Sequence, residues 1–292
     1  MKLLLFSRGQ LKHRAEELKA LREAICRTGV DYAVNEEFAP ILRQEAEWPI
    51  ADEACYGASV GVQRDEAVMV CYGGDGTLLE GAQRLKGEPI PILGINAGHL
   101  GFLTGAPKEE LNTLFEAIID GKFSTQRRTT LWVEGNFTEQ PKTKLALNEF
   151  SIQRHGAEMV SVETYVDDQM VATYHGDGVI VATPTGSTAY SLSAGGPVVA
   201  PDCGCLVITP IAPHNLTMRP VVVPDTATIR MRVKMRHSKA FATLDNNTYS
   251  TFNGAEFTIR RSEKPIFLAS THNISFYDSL RNKMMWGVDL RD

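Results

Sequence analysis

The chain has 292 residues, of which 43% are hydrophobic and 22% are charged, and its formal net charge is -5. These values are typical of a globular protein with one large or two ordinary domains, and the mild charge gives no reason to expect nucleic acid as a partner. The apolar runs have only the length of strands, so no membrane span is predicted. Five scattered cysteines without metal-ligand spacing predict reduced thiols and a cytoplasmic location.

Strands and helices alternate in the first part of the chain. Apolar runs predict strands over 2–6, 30–34, 67–70 and 91–96, and helical spacing predicts helices over 11–27, 78–85 and 107–120. This alternation indicates an α/β domain, a parallel sheet with helices on its faces. The region 35–61 has weak periodicity and is left unassigned.

After about residue 122 the pattern changes to short strands, which indicates an all-β, sandwich-like domain of antiparallel sheets. The predicted strands cover 128–134, 143–152, 160–166, 178–183, 206–209, 226–233 and 257–260. A helix-like segment over 274–285 could pack back on the first domain. The predicted domains are therefore 1–123 and 124–271, followed by a tail over 272–292.

The most informative stretch is Gly73-Gly74-Asp75-Gly76-Thr77, between an apolar strand and a helix. Glycines let the main chain approach an anion, and the free N–H groups at a helix start point towards it. The pattern lacks the Lys and Ser/Thr of a P-loop and is not the dinucleotide fingerprint. A carboxylate repels phosphate unless it holds a metal or accepts a proton, so Asp75 indicates chemistry. The alternative is that Asp75 only caps the helix.

A second glycine-rich cluster runs from Gly176 to Gly196 and is dense in hydroxyls. Such a loop supplies the N–H and O–H donors that a phosphate or ribose requires, and Tyr190 offers a flat face for a base. The alternative is a turn-rich connection with ordinary capping residues. The Asp75 turn and the loop 96–102 both lie at carboxyl ends of predicted parallel strands, so they are expected to share one crevice.

A third feature is the pair Asn148-Glu149, which interrupts an apolar strand. An adjacent amide and carboxylate can bind the amino edge of adenine and a ribose hydroxyl. Alone, such a pair also fits a solvated strand edge or a bulge.

Together, the Gly73–Thr77 turn, the loop 96–102, the Asn148-Glu149 pair and the Gly176–Gly196 cluster resemble the NAD kinase family. The resemblance covers about 68–245. Lipid kinases and phosphofructokinases carry similar glycine turns, but the run Thr183–Tyr190 with the Asn-Glu pair is specific to NAD kinases. It implies an α/β domain, a β-sandwich domain, a site between them and a homodimer or homotetramer.

The resemblance also implies an activity: transfer of the γ-phosphoryl group of ATP to the 2′-hydroxyl of the adenosine ribose of NAD, giving NADP and ADP. ATP would be the phosphoryl donor and a divalent cation, with Mg²⁺ the expected one, the cofactor. Asp75 would act as general base, provided that it lies within hydrogen-bond reach of the hydroxyl. No residue is assigned as a metal ligand, and no membrane or nucleic-acid partner is expected.

The implied site residues fall into two groups. Phosphate is expected to bind at Gly73, Gly74, Gly76 and Thr77. NAD is expected to contact Asp75, Gly76, Phe102, Asn148, Glu149, His175, Asp177, Thr188, Ala189, Tyr190, Ser193, Ala212 and Asn247.

Three alternatives remain open from the sequence. A lipid or sugar kinase would keep the fold and change the acceptor. An NAD-binding sensor would keep the pocket and lack turnover. An oxidoreductase would use NAD for hydride transfer, although no dinucleotide fingerprint supports it.

Overall fold

The structure is a computed structural model and describes residues 1–8, 14–57, 66–96, 101–104, 106–107, 110–235, 239–271 and 275–287. Contacts divide the chain into two units. The first consists of Met1–Arg127 and Ile266–Asp292, and the second of Arg128–Pro265. No helix among the described residues is long and apolar enough to cross a membrane.

The first unit holds a sheet flanked by helices. Its strands are β1 (Lys2–Phe6), β2 (Asp31–Asn35), β3 (Cys55–Tyr56), β4 (Ala67–Tyr72), β5 (Ile92–Asn96), β6 (Ala106–Pro107), β7 (Ser124–Arg128) and β20 (Ile266–Ser270). Its helices are α1 (Ala15–Thr28), α2 (Ala39–Glu45), α3 (Asp75–Arg84), α4 (Leu111–Ile119) and α6 (Phe276–Met284).

The strand order of this sheet is β3-β2-β1-β4-β5-β20-β7, with β6 beside β5. Strand β4 pairs in parallel with β1 and with β5, so the predicted α/β fold is confirmed. Tyr72, at the end of β4, lies opposite Ile95 on β5. The segments that follow these two strands therefore begin at the same edge of the sheet, where ligands bind in open α/β folds.

Two predicted helices differ from the observed ones at their starts. Helix α1 begins at Ala15, after an extended Arg14, and residues 9–13 lie outside the described part. Helix α4 begins at Leu111 instead of residue 107, because Pro107 pairs with Asn96 in the short parallel strand β6. Proline suits a helix start, but here pairing with the neighbouring strand decides its conformation.

The unassigned region contains α2, a short 3-10 helix over Asp52–Ala54, and β3. These elements are two to seven residues long, too short to show a helical or strand period in the sequence. The strands β7 and β20, which the predicted boundaries place in the second domain, belong to the first sheet.

The second unit consists of antiparallel strands. They are β8 (Leu131–Gly135), β9 (Leu145–Ala146), β10 (Glu149–Arg154), β11 (Val160–Val166), β12 (Gln169–Gly176), β13 (Gly178–Ala182), β14 (Cys205–Ile211), β15 (Val221–Pro224), β16 (Ile229–Lys234), β17 (Ala240–Leu244), β18 (Asn247–Thr251) and β19 (Glu256–Arg261). A short helix, α5, covers Tyr190–Ser193.

These strands form two sheets, β15-β14-β13-β10-β17-β18 and β12-β11-β16-β19-β8-β9. One buried cluster joins their inner faces, where the rings of Phe150 and Phe257 lie 5.2 Å apart. The predicted β-sandwich is confirmed. Strands β12, β15, β17 and β18 had no prediction; β12, for example, exposes Met170 and Val171 and so lacks an alternating pattern.

Candidate active site

The glycine turn joins β4 to α3. The Gly73 N–H donates to the Ile95 carbonyl at 2.9 Å. Gly73 has φ +154°, and a Cβ there would lie 2.4 Å from Thr77 Oγ1, so only glycine fits. Gly74 is the N-cap of α3 and is exposed, and it has no contact that a Cβ would disturb. The turn therefore leaves the main chain at the N-terminus of α3 exposed and not covered by a side chain of Gly73 or Gly74.

Thr77 lies beneath this turn. Its side chain is 2% exposed, and its N–H donates to the Gly74 carbonyl at 2.9 Å. Thr77 therefore packs against Gly73 under the turn, and its predicted contact with phosphate stays a prediction. Gly76 is supported from the other side, because Arg8 donates to its carbonyl at 2.6 Å and forms an ion pair with Glu80 at 3.0 Å.

Asp75 is the first residue of α3 and does not cap it. Its carboxylate instead accepts hydrogen bonds from the loop after β5. Oδ2 accepts from the Phe102 N–H at 2.6 Å, and Oδ1 accepts from the Leu103 and Thr104 N–H groups at 3.0 Å each and from Thr104 Oγ1 at 3.2 Å. The expected proximity of the Asp75 turn and Phe102 is confirmed. His99 and the rest of residues 97–100 lie outside the described part.

Gly101 makes this contact possible. A Cβ at Gly101 would lie 1.8 Å from Asp75 Oδ1, far inside any real contact distance. Thr104 completes the loop, because its hydroxyl accepts the Gly101 N–H at 3.2 Å. The loop and the aspartate therefore fix each other.

In the second unit, Asn148 lies in the gap between β9 and β10 and Glu149 begins β10, so the strand predicted over 143–152 is broken at this pair. Asp245, in the turn between β17 and β18, holds this break. Its carboxylate accepts the N–H groups of Leu147 at 2.9 Å, Asn148 at 2.8 Å and Glu149 at 3.1 Å. In return the Asp245 N–H donates to the Glu149 carbonyl at 3.0 Å.

Glu149 is 8% exposed, and no described group donates a hydrogen bond to its Oε2. Burial raises its pKa to about 8, the Asp245 carboxylate adds to the rise, and a main-chain hydrogen bond from Tyr190 opposes it. At neutral pH Glu149 is therefore mostly a neutral acid, which can donate a hydrogen bond as well as accept one.

The second glycine-rich cluster packs against the same pair. The Thr183 hydroxyl donates to the Leu147 carbonyl at 2.6 Å and accepts the Gly186 N–H at 3.1 Å. A Cβ at Gly186 would lie 2.0 Å from the Asn148 carbonyl oxygen. The long loop is therefore built onto the Asn-Glu pair and is not a loose connection.

Tyr190 approaches Glu149, and Asp177 lies within electrostatic range of Tyr190. Burial raises the pKa of the Tyr190 hydroxyl, and the charges of Asp177 and Glu149 raise it further. Asp177 forms an ion pair with Arg154 at 2.6 Å. Ala212 lies at this end as well, because its carbonyl would be 2.6 Å from a Cβ at Gly176, next to Asp177.

The remaining predicted residues are less closely joined. The His175 ring is exposed and contacts Ser161 Oγ at 2.8 Å. Thr188 and Ala189 are half-buried and Ser193 is exposed around α5, and Asn247 begins β18 two residues after Asp245. These assignments stay predictions.

Asp245, Thr104 and Lys283 are not among the predicted site residues. An aspartate in a turn is common, so Asp245 carries no local signal. For Lys283 a signal existed: it falls on the apolar face of the last helix, seven residues after Phe276. The described residues contain no group of three or more His, Cys, Asp or Glu side chains that could hold a metal ion.

A glycine turn at a helix start, joined to a carboxylate, is a site typical of phosphoryl-transfer enzymes. Comparison with known families is consistent with this class. Residues 11–123 match the ATP-NAD kinase N-terminal domain, and residues 147–271 match the ATP-NAD kinase C-terminal domain.

Curated relatives match over their whole length. The chain is 35% identical to an NAD kinase of Christiangramia forsetii over 289 residues, 97% of this chain and 98% of that protein. It is 33% identical to an NAD kinase of Bacteroides fragilis over 292 residues, all of both chains. The chain therefore belongs to the NAD kinase family, which decides against the lipid or sugar kinase and the oxidoreductase.

Solved structures show the same fold. The crystal structure of yeast NADH kinase complexed with NADH has a TM-score of 0.84 at 23% identity and covers 100% of this chain and 89% of its own. The NAD kinase from Archaeoglobus fulgidus in complex with ATP has a TM-score of 0.74 at 29% identity, covering 98% and 99%.

Proposed function

We propose that this protein transfers the γ-phosphoryl group of ATP to the 2′-hydroxyl of the adenosine ribose of NAD, with Asp75 as general base. Family membership supports phosphorylation of NAD with ATP. The observation that supports the role of Asp75 is the uneven use of its two oxygens. Oδ1 accepts three hydrogen bonds, and Oδ2 accepts one, from the Phe102 N–H.

A carboxylate oxygen has about two lone-pair positions, so Oδ2 retains one for a substrate proton. In the proposed step, this oxygen takes the proton of the 2′-hydroxyl. The ribose oxygen forms a bond to the γ-phosphorus, and the bond between that phosphorus and the bridging oxygen of ADP breaks with its electron pair passing to ADP. Asp75 then releases the proton to water. The loop hydrogen bonds keep the carboxylate oriented during this step.

The phosphates of ATP are expected to lie on the glycine turn. Gly74 is exposed at the N-terminus of α3, where N–H groups and the helix dipole favour an anion. The binding of ATP by the Archaeoglobus fulgidus relative supports this donor. Gly73 and Gly76 shape the turn, and Thr77 supports it from beneath.

A divalent cation, with Mg²⁺ expected, is proposed as cofactor. The residues of the site fit a metal ion that arrives bound to ATP. Mg²⁺ is usually held by one or two carboxylates, substrate phosphates and water, and not by a set of protein ligands alone. Asp75 is the acidic residue within the turn 73–77, so most ligands of the metal would come from phosphate and water. When bound, the metal would offset phosphate charge.

NAD is proposed to bind at the surface built around Asn148 and Glu149. The buried, unpaired Oε2 of Glu149 supports this, because a buried polar atom without a partner favours a ligand that supplies one. A neutral Glu149 can both donate to and accept from ribose or base. The nicotinamide dinucleotide bound by yeast NADH kinase agrees with this substrate class. We further propose a cytoplasmic homodimer or homotetramer.

The test is NADP formation from NAD, ATP and Mg²⁺, read by an NADP-specific dehydrogenase so that only the 2′-phosphate counts. We expect turnover by the wild type and a fall of about 10²–10⁴-fold in Asp75→Asn, because general-base catalysis contributes that much. Thr104→Val is the matched control, since it removes one hydrogen bond to Oδ1 and leaves Oδ2 in place.

Absence of wild-type turnover despite NAD binding would support the NAD sensor instead. Turnover that Asp75→Asn does not slow, or slows no more than Thr104→Val, would contradict Asp75 as the base. A product that the dehydrogenase does not accept would contradict the 2′-hydroxyl.

A further inference from the structure

The C-terminal helix α6 presents a lysine on its inner face. Its start is fixed by a capping box in which Ser275 and Asp278 bond each other's main chain. Leu280 is buried, and Lys283, one turn later on the same face, is half-buried, whereas Arg281 and Asn282 are exposed. Because lysine is seldom withdrawn from water without a partner, the position of Lys283 needs a reason.

The Lys283 ammonium lies at the Asp75 end of the first unit. It is 4.9 Å from the centre of the Phe102 ring, and the Phe102 N–H is the group that bonds Asp75 Oδ2. Burial lowers the pKa of Lys283, and the charge of Asp75 acts in the opposite direction. The ammonium therefore lies within electrostatic range of the aspartate and beside the loop that the aspartate fixes.

Protein groups only partly satisfy this cation. Contact with an aromatic face is a weaker interaction for a cation than a salt bridge with a buried carboxylate. Among the described residues, Lys283 forms no salt bridge, although the neighbouring Arg281 has one with Asp278. Asp75 Oδ1 is occupied by residues 103 and 104, and Oδ2 keeps its remaining position for the substrate proton, so the partner that Lys283 lacks is an anion from solution.

We propose that Lys283 binds the polyphosphate of the phosphoryl donor beside the glycine turn, as a cation that the C-terminal helix delivers to the Asp75 site. The proposal rests on the proposed function for the identity of the donor. Two features of different origin would then face the phosphates: the main chain at Gly74 and the ammonium from α6. In this arrangement the ammonium stabilises charge on the transferring group, which is the main demand of phosphoryl transfer.

The experiment compares Lys283→Met and Lys283→Arg with Arg281→Met, which removes a charge of the same sign from the outer face of the same helix. Two quantities are measured: the KM for ATP and kcat in NADP formation, and the affinity for tripolyphosphate by calorimetry. We expect Lys283→Met to raise the KM for ATP and to weaken tripolyphosphate binding by at least about tenfold, the effect of one hydrogen bond to a charged group. Lys283→Arg should keep most of both, and Arg281→Met should match the wild type.

Each outcome decides something. Wild-type turnover with an unchanged KM for ATP in Lys283→Met overturns this proposal and leaves the proposed function standing. A rise in the KM for NAD alone also overturns the proposal. Lys283 would then support NAD binding by holding the Phe102 ring. If the wild type shows no NAD turnover and Lys283→Met loses the tripolyphosphate binding of the wild type, the role of Lys283 in phosphate binding is supported and the proposed function is contradicted. If Lys283→Met does not fold, Lys283→Arg serves as the test. Weakened binding of tripolyphosphate by Lys283→Arg would then overturn the proposal.

Discussion

The two units of the chain hold their candidate substrate-binding segments in the same way but leave different chemistry available. In each, one aspartate accepts the N–H groups of three consecutive residues: Asp75 those of 102–104, and Asp245 those of 147–149. Asp75 is half-buried and keeps acceptor capacity on Oδ2, whereas Asp245 is 9% exposed and lies against Glu149.

The difference shows how surroundings set the role of a residue. Where the carboxylate reaches the surface, it is available as a base. Where it is buried, its charge adds to the effect of burial that keeps the neighbouring Glu149 protonated. In both units, a glycine lets the main chain approach and a threonine hydroxyl bridges the segment.

Apart from loss of the proposed base, the largest effects should come from substitution of two glycines. Gly101→Ala would place a Cβ 1.8 Å from Asp75 Oδ1, and Gly186→Ala one 2.0 Å from the Asn148 oxygen. Displacing a reacting group by about 1 Å can cost about 10²-fold, so we expect each variant to lose at least that in kcat/KM for NADP formation. The control is Gly204→Ala, whose nearest neighbour is 3.8 Å away. Equal activity in all three would mean that neither contact matters.

The second prediction compares the two aspartates in their effects on stability and on activity. Asp245→Asn replaces an acceptor of three buried N–H groups, so it should lower the free energy of unfolding by about 1–3 kcal/mol for each N–H left unpaired. Asp75→Asn should lower it less, because its bonds are only partly buried, and should lower kcat more. Denaturant unfolding and NADP formation measure the two. A larger stability loss in Asp75→Asn would reverse the comparison.

The third prediction concerns pH. The pKa of Glu149 rises from 4.5 to about 8 on folding, mainly because of burial. The folded state then binds a proton that the unfolded state has lost, so this group contributes stability below its unfolded pKa that disappears as pH rises through the folded value. The free energy of unfolding should therefore fall between those two pH values by more in the wild type than in Glu149→Gln. Parallel pH profiles would refute the shift.

The smallest effects should come from the threonines. Thr183→Val and Thr104→Val each remove a bridging hydroxyl, at a cost of about 0.5–1.5 kcal/mol per hydrogen bond lost. Thr183 is fully buried and its bond to the Leu147 carbonyl is 2.6 Å, whereas the bond from Thr104 to Asp75 is 3.2 Å. Thr183→Val should therefore lower the thermal midpoint further. The opposite order would mean that the glycine-rich loop is held mainly by other contacts.

The sequence predicted the parts whose signal is local. Strands that alternate with helices predicted the parallel sheet, and a succession of short strands predicted the sandwich. Three glycines around Asp75 predicted the turn. The break at Asn148-Glu149 was visible because polar residues interrupt an apolar strand. The start of α4 was predicted too early, since Pro107 follows a pairing preference of the sheet that no local pattern contains.

What the tertiary structure decided are the contacts between distant positions. Asp75 meets Leu103 across 28 residues and Asp245 meets Asn148 across 97, and neither distance follows from the period of one element. The same holds for the burial that gives Glu149 its raised pKa and for the approach of Lys283 to Phe102. Propensity and periodicity depend on neighbours along the chain, whereas electrostatics and hydrogen bonding depend on neighbours in space, which only the folded chain brings together.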